Sequence, residues 1–292
     1  MSEQYYSNAM RAEVLAQALP YITKYYGKTI VVKYGGNAMI SEALREQVME
    51  DIVLLTKVGI RTILVHGGGP EITDLMGRLN KQAVFIDGLR VTDQETIDIV
   101  QMVLAGKINK SLVKLLEMKG GRAIGISGMD GQLIQASIRD PKYGFVGDIT
   151  AINPQPVLDL LDRGYIPVIS TLGCDGEGNT YNINGDTAAG AIAEALGATR
   201  LIMMTDITGV LHDKDDPDSV IRELTVRDAL KMKEDGRIVG GMIPKILCCI
   251  DALKNGVDAA VIIDGRVPHA VLMEILTDEG AGTMIRKDSD DE

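Results

Sequence analysis

Cysteine and histidine are scarce in this chain, with three of each among 292 residues. Cys174, Cys248 and Cys249 form an odd set in which two members are adjacent. That pattern argues against a disulfide framework and for a reducing compartment. No histidine lies near a cysteine pair, so a zinc or other protein-held metal site has no support, and Cys248 and Cys249 read as core residues of a helix. Basic residues are also in the minority, 30 Lys and Arg against 41 Asp and Glu, for a net charge of −11. This balance speaks against a nucleic-acid partner, which calls for a basic face to displace phosphate counterions. It leaves phosphate chemistry open, because a few local cations outweigh a distant acidic surface. No apolar run approaches the roughly 18–20 residues that span a bilayer. The first residues, MSEQYYSNAMRAEV, lack the basic-then-apolar plan of a secretory signal. These absences together imply a cytoplasmic globular protein without a membrane role, large enough for one domain or two lobes. The acidic end, DSDDE, reads as a frayed tail.

Two standard nucleotide motifs are missing as well. Gly27–Thr29 has the ending of a P-loop, but the required earlier glycine is Ile22, and the segment precedes a strand where it should follow one. No G-x-G-x-x-G follows a strand, which removes the dinucleotide-binding reading.

The segments that are present alternate. TIVVKYGGNAM and RTILVHGGGPEI each run from a β-branched strand through glycines into a helix. RAIGIS, YIPVIS, RLIMMTDITG and DAAVIIDG supply further strands between helices. Parallel strands need long crossovers, so the alternation predicts an α/β, three-layer αβα sandwich with an open, mostly parallel central sheet. Residues 91–121 read as two helices, and residues 132–150 as a β-hairpin or flap. An apolar stripe of Met10, Val14, Leu15, Ala18, Leu19 and Ile22 marks a helix over residues 10–23, either packed on its own core or used for docking. The predicted organisation is a helical extension (1–25) and two lobes (26–198 and 199–292) that share one sheet.

Three glycine clusters fall at strand ends or helix starts: Gly35-Gly36, Gly67-Gly68-Gly69 and Gly240-Gly241. Glycine admits close backbone approach, and helix N-terminal amides attract anions. Lys33 stands inside an apolar strand, which is costly unless an anion pairs with it; the competing reading is an edge-strand lysine reaching water. Lys245 begins a helix, where the dipole disfavours a cation unless phosphate is near. Asp186, in NINGD, heads an apolar helix and reads as an N-terminal cap or as a partner of the helix dipole. Asp206 ends a strand, and Arg90 is suited to a bidentate carboxylate pair or to the surface. His66 reads as a turn or core residue.

In order along nearly the whole chain, KYGGNAM, HGGGPEI, GLRVTD, FVGDI, YNINGDTAAG, TDITGVL, GGMIPK and IIDGRVPHA resemble the amino acid kinase family. Within it they are most similar to the arginine-sensitive members that act on N-acetyl-L-glutamate. The resemblance implies ATP with Mg²⁺ and transfer of a phosphoryl group to the side-chain carboxylate of N-acetyl-L-glutamate. It gives Lys33 and Lys245 the transferring group, and Asp186 the task of holding both. The amides of Gly35, Gly36 and Gly68 would support the phosphoryl oxygens. Gly67, Gly68, Gly69, Arg90 and Asn182 would bind substrate, and Thr205, Asp206 and Gly209 would lie near the nucleotide. Gly185 departs from the family pattern, which more often has alanine there. The N-terminal helix resembles the extension that builds a homohexamer in arginine-inhibited members, with Tyr21, His269, Glu274 and Gly280 as the corresponding arginine positions. Some relatives also bind a nitrogen-signalling protein. The alternatives are another acid or carbamate kinase of the same fold, or a non-catalytic nucleotide or amino-acid sensor.

Overall fold

The computed structural model describes residues 7–36, 41–213, 216 and 219–288. Asn37–Met39 of the first glycine turn and Ser289–Glu292 of the acidic tail lie outside the described residues.

Among the described residues, fourteen strands and eleven α-helices alternate. The strands are β1 (Thr29–Tyr34), β2 (Arg61–His66), β3 (Phe85–Ile86), β4 (Leu89–Arg90), β5 (Ala123–Ser127), β6 (Ile134–Ile138) and β7 (Gly147–Ile152). They continue with β8 (Ile166–Ser170), β9 (Leu172–Cys174), β10 (Thr180–Asn182), β11 (Arg200–Thr205), β12 (Glu223–Thr225), β13 (Ala259–Asp264) and β14 (Gly282–Arg286). The helices are α1 (Asn8–Gln17), α2 (Leu19–Tyr25), α3 (Glu42–Lys57), α4 (Gly69–Arg78), α5 (Gln94–Gln101) and α6 (Asn109–Met118). After them come α7 (Gln155–Asp162), α8 (Gly185–Ala195), α9 (Val226–Glu234), α10 (Met242–Lys254) and α11 (Ala270–Leu276).

Eight strands form the central sheet in the order β12-β14-β13-β11-β1-β2-β8-β5, parallel except where β14 runs against β13. β1 therefore lies in the middle, paired with β2 on one side and β11 on the other. The sheet runs unbroken past residue 198. Its strands alternate faces with period two. Ile30, Val32 and Tyr34 pack into the layer of α3, α5, α6 and α11. Val31 packs into the opposite layer, with α7, α8, α9 and α10. Burial on both faces gives the near-continuous apolar strands of a parallel sheet, and each fully buried Val, Leu or Ile contributes roughly 1.5–3 kcal/mol. The flap expected at 132–150 is the antiparallel pair β6–β7, which joins β9 and β10 in a separate four-stranded sheet. Among the described residues, no helix is long and apolar enough to cross a membrane.

Two expectations change in detail. The single helix over residues 10–23 is two, because α1 stops at Ala18 and Pro20 occupies the first turn of α2, where its missing N–H costs nothing. The two helices read in 91–121 are one continuous rod, α5 and α6 joined by a π-helical turn at Met102–Ile108. Cys249 is buried as expected, whereas Cys248 is only partly so.

α3 packs on α11 through a polar contact set in an apolar layer. Asp51 is fully buried and accepts a 2.6 Å contact from His269 Nδ1, with His269 in the left-handed region at the head of α11. Its second carboxylate oxygen has no partner. Burial pushes Asp51 up to about 6, against the opposing pull of His269 and the Leu272 N–H. A raised folded value means that stability from this group is complete below the unfolded value of 3.8 and is lost as pH rises through about 6. Asp51→Asn, which cannot ionise, is therefore expected to gain on the wild type between pH 4 and pH 7, by roughly 3 kcal/mol at most, at about 1.4 kcal/mol for each tenfold change in proton affinity. Melting temperatures of both proteins across that range check this; a difference that stays constant with pH contradicts it.

Candidate active site

The carboxyl ends of β1, β2 and β11 bring three turns together at the centre of the sheet, the place where open α/β sheets bind ligands. Lys33 follows Val31 on the α8 face of β1, one residue from the strand end, and is 8% exposed. The edge-strand reading fails because β1 is interior. α8 starts beneath that face. Asn184 caps it, its side-chain oxygen accepting from the amides of Asp186 (2.9 Å) and Thr187 (3.1 Å). The cap sets Asp186 in the first turn, where a negative charge complements the helix dipole.

Asp186 joins both lysines. Its Oδ1 lies 2.8 Å from Lys33 Nζ, and its Oδ2 accepts a 2.7 Å hydrogen bond from Lys245 Nζ. Lys245 comes from the first turns of α10, which packs along α8. Burial alone would push the Asp186 carboxyl up, but the two ammonium groups outweigh it and hold it below the usual carboxylate range. Gly185 touches the same group: a Cβ there would stand 3.4 Å from Lys33 Cε, at the edge of ordinary contact, so alanine fits this helix start.

Beside the triad opens a cleft of about 180 Å³, lined by Gly67, Gly68, Gly69, Arg90, Asn182 and Gly185 with Phe85, Leu104, Val146 and Thr171. All five residues expected at the substrate are among them. Arg90 is 7% exposed. It donates from Nη2 to the Gly69 carbonyl (3.0 Å) and Thr73 Oγ1 (2.9 Å), and from Nη1 to Met76 Sδ (3.4 Å). The Phe85 ring lies 4.7 Å from the guanidinium carbon. Among the described residues, no carboxylate pairs with Arg90, and burial pulls its pKa down. A buried guanidinium held only by neutral acceptors is a ready anion site. Asn182 Nδ2 donates to Thr92 Oγ1 at 3.3 Å.

Gly36 adopts φ +70°, and a Cβ on Gly35 would come within 3.1 Å of Lys33 Nζ. A side chain at either position would crowd the lysine or strain the turn. Thr205 is buried at the end of β11, its carbonyl accepting from the Gly265 amide (2.7 Å) and its hydroxyl lying 3.4 Å from Asp206 Oδ1. Gly209 has φ +145° and packs against Thr283. Nearby, Asp264 at the end of β13 takes Arg266 in a bidentate pair. Sequence reasoning overlooked this pair, as it did Asn184 and Phe85; Asn184, directly ahead of Gly185 and Asp186, carries the signature of an N-cap.

The arginine positions divide. Tyr21, Glu274 and Gly280 line a second cavity of about 200 Å³, between α2, α11 and β14, with Lys24, Arg200 and Arg222. His269 does not line it; its ring sits on Asp51. Glu274 is 6% exposed, with Oε2 accepting from the Ala281 amide (2.9 Å) and Oε1 unpartnered. His66 is fully buried and pulled down to about 4, chiefly by burial.

Comparison with known proteins bears on this geometry. The acetylglutamate kinase of Clostridium kluyveri is 53% identical over 276 residues, covering 94% of this chain and 98% of that protein. The N-acetylglutamate synthase of Neisseria gonorrhoeae, solved with coenzyme A and N-acetyl-glutamate, superposes with a TM-score of 0.82 at 24% identity. That alignment covers 95% of this chain but 64% of the longer synthase. The same synthase solved with coenzyme A and L-arginine gives 0.79 at 23% identity, covering 95% of this chain and 65% of that one. Residues 28–264 match the amino acid kinase family, the span that holds both lysines, Asp186 and every glycine turn of the cleft. The chain belongs to the amino acid kinase family.

Proposed function

We propose that this chain transfers the γ-phosphoryl group of ATP to the side-chain carboxylate of N-acetyl-L-glutamate, giving N-acetyl-L-glutamyl 5-phosphate and ADP. The observation that carries this reading is the pair of lysines held on the two oxygens of one buried aspartate beside a glycine-lined cleft. The relatives of about 50% identity named for this activity support the choice of acceptor.

The attacking carboxylate is ionised at neutral pH, with an ordinary pKa of about 4.3, so no general base is needed. His66, buried and neutral, is correspondingly free of that role. A carboxylate oxygen forms the new bond to phosphorus as the bond to the ADP oxygen breaks, and ADP leaves with the electron pair. The obstacle is repulsion between anions, roughly 4 kcal/mol per pair of unit charges at 4 Å in an effective dielectric of 20. Lys33, Lys245 and the amides of Gly35, Gly36 and Gly68 offset it and hold the in-line geometry. Arg90 and Asn182 bind the carboxylate that does not react. Residues 26–198 supply this acceptor side, and Thr205, Asp206 and Gly209 of residues 199–292 the nucleotide side. Mg²⁺ supplies further charge neutralisation when bound. Asp186 has both oxygens on ammonium groups, which fits an ion carried by the nucleotide phosphates with its own waters and not one ligated by Asp186.

Arginine is the inhibitor in this reading, seated in the second cavity, where the unpartnered Glu274 oxygen suits a guanidinium and Tyr21 adds a wall from α2. A homohexamer is part of the same reading. It is favoured by α1, which buries nothing of its own and leaves Met10, Val14 and Leu15 exposed.

Release of ADP in the presence of N-acetyl-L-glutamate tests the proposal; turnover only with free glutamate, aspartate or carbamate would reassign the acceptor, and no turnover with any of them would indicate a sensor. Lys33→Ala and Lys245→Ala are each expected to lower kcat by roughly 10²–10³, and near-normal turnover in both removes their roles. Arg90→Ala is expected to raise KM for N-acetyl-L-glutamate by roughly 10- to 100-fold, the worth of hydrogen bonds to a charged group. An effect confined to KM for ATP would move Arg90 to the other substrate. Glu274→Ala is expected to raise the arginine concentration for half-inhibition about tenfold or more at unchanged kcat; inhibition curves that superpose on the wild type would take Glu274 out of the site.

A further inference from the structure

The Gly67-Gly68-Gly69 turn is held from below by groups that the phosphoryl-transfer scheme does not use. We propose that His66, fixed by Asn109 at the head of α6, is a positioning residue that clamps the Gly67 carbonyl and thereby aims the Gly68 N–H into the cleft. This rests on the reading that the Gly68 amide supports the transferring phosphoryl group.

The tautomer follows from the neighbours. Asn109 is fully buried, and its Nδ2 lies 2.9 Å from the Val168 carbonyl and 3.2 Å from the Ile126 carbonyl. Both can only accept, so this atom is the amide nitrogen; Asn109 Oδ1 accepts from Lys110 Nζ at 3.0 Å, which agrees. The same Nδ2 lies 3.2 Å from His66 Nε2. An amide nitrogen cannot accept, so Nε2 faces it without a proton; the ring proton sits on Nδ1, and Nδ1–H donates to the Gly67 carbonyl, which can only accept, at 3.0 Å. The peptide between Gly67 and Gly68 is trans and planar, so its N–H points opposite to its C=O. A carbonyl tied to His66 turns the Gly68 N–H the other way. Gly68 lines the cleft, and its N–H has no protein acceptor among the described residues.

A second contact fixes the same peptide from another side. A Cβ on Gly68 would come within 2.2 Å of Ile108 Cδ1 and 2.8 Å of Leu104 Cδ2, so its backbone lies directly on those side chains. Leu104, Ile108 and Asn109 all come from the π-helical turn or the residue after it. The extra residue per turn rotates these side chains together under the glycines, which gives this irregularity a task at the site.

The test compares His66→Gln with His66→Asn in the full chain. Glutamine places an amide near Nε2 and loses the donor to Gly67, whereas asparagine places an amide nitrogen near Nδ1 and keeps it. With ATP and N-acetyl-L-glutamate, His66→Gln is expected to lower kcat at least about 30-fold with both KM values within about threefold. His66→Asn is expected to recover at least about tenfold of that loss. Equal kcat for His66→Gln and wild type overturns the inference, as does an equal fall in both variants, which marks a purely structural residue. Should both variants fail to fold, ¹⁵N shifts of the wild-type imidazoles decide, with His66 assigned by substituting His212 and His269. A proton on Nδ1 supports the clamp, and a proton on Nε2 overturns it. A wild-type chain that releases no ADP fails the functional reading and this inference with it; a wild-type chain that turns over alongside an equally active His66→Gln fails this inference alone.

Discussion

The carboxylate of Asp186 is what allows two lysines to point into one place. Side by side in a site sheltered from water, two ammonium groups repel each other and lose hydration, so the local structure favours separating them. A carboxylate between them reverses the sign of that interaction. Each oxygen takes one ammonium, at 2.8 and 2.7 Å, and the cluster keeps one net positive charge. Burying the carboxylate would ordinarily be expensive. Here the helix N-terminus of α8 and the two cations together stabilise the ionised form, on a helix start that the Asn184 cap fixes. The pair is thus organised before any substrate arrives, which is the condition under which electrostatic stabilisation costs no rearrangement during reaction.

The sheet makes that meeting possible. Lys33 comes from near the carboxyl end of the first strand, Asp186 from the crossover helix that leads to β11, and Lys245 from the next long helix on the same face. Their separation in sequence is large, yet α8 packs on β1 and α10 packs on α8, so the three side chains share one corner. Gly35, Gly36 and Gly67 through Gly69 follow the ends of neighbouring strands β1 and β2, so their turns rise beside that corner. Parallel strands deliver all of these groups to the same edge, because every carboxyl end faces the same way.

The alternation of β-branched runs and helical stripes made the layered fold legible, and the cost of a lysine at residue 33 made the site legible. What escaped were features set by partners distant in sequence. Pro20 was visible, but whether a stripe survives it depends on what α2 packs against. The π turn at Met102–Ile108 has no periodic signature, since its register matters only where Leu104 and Ile108 meet Gly68. The position of His269 is of the same kind. Its place at the head of a helix was readable, but its contact with Asp51 on α3, away from the Tyr21 and Glu274 cavity, arises from helix packing. Arg90 was open between surface and pocket in the sequence; Met76, Thr73 and Gly69 of α4 decide for the pocket.

The three cations of the cleft are handled differently, and the difference matches the task that the proposed function gives each. Lys33 and Lys245 share a counter-charge, so the region proposed for the transferring phosphoryl group carries one net positive charge in place of two. Binding too strongly in the ground state would lower KM without raising kcat. Arg90 is held by a carbonyl, a hydroxyl and a thioether, none of which neutralises it, so its full charge remains available for a carboxylate. Its planar fork reads the geometry of the group it meets, whereas ammonium groups act as point charges on any phosphate oxygen. Under the proposed function, recognition is concentrated on the part of the substrate that does not react, and charge stabilisation on the part that does, so binding energy from the first can be used to orient the second.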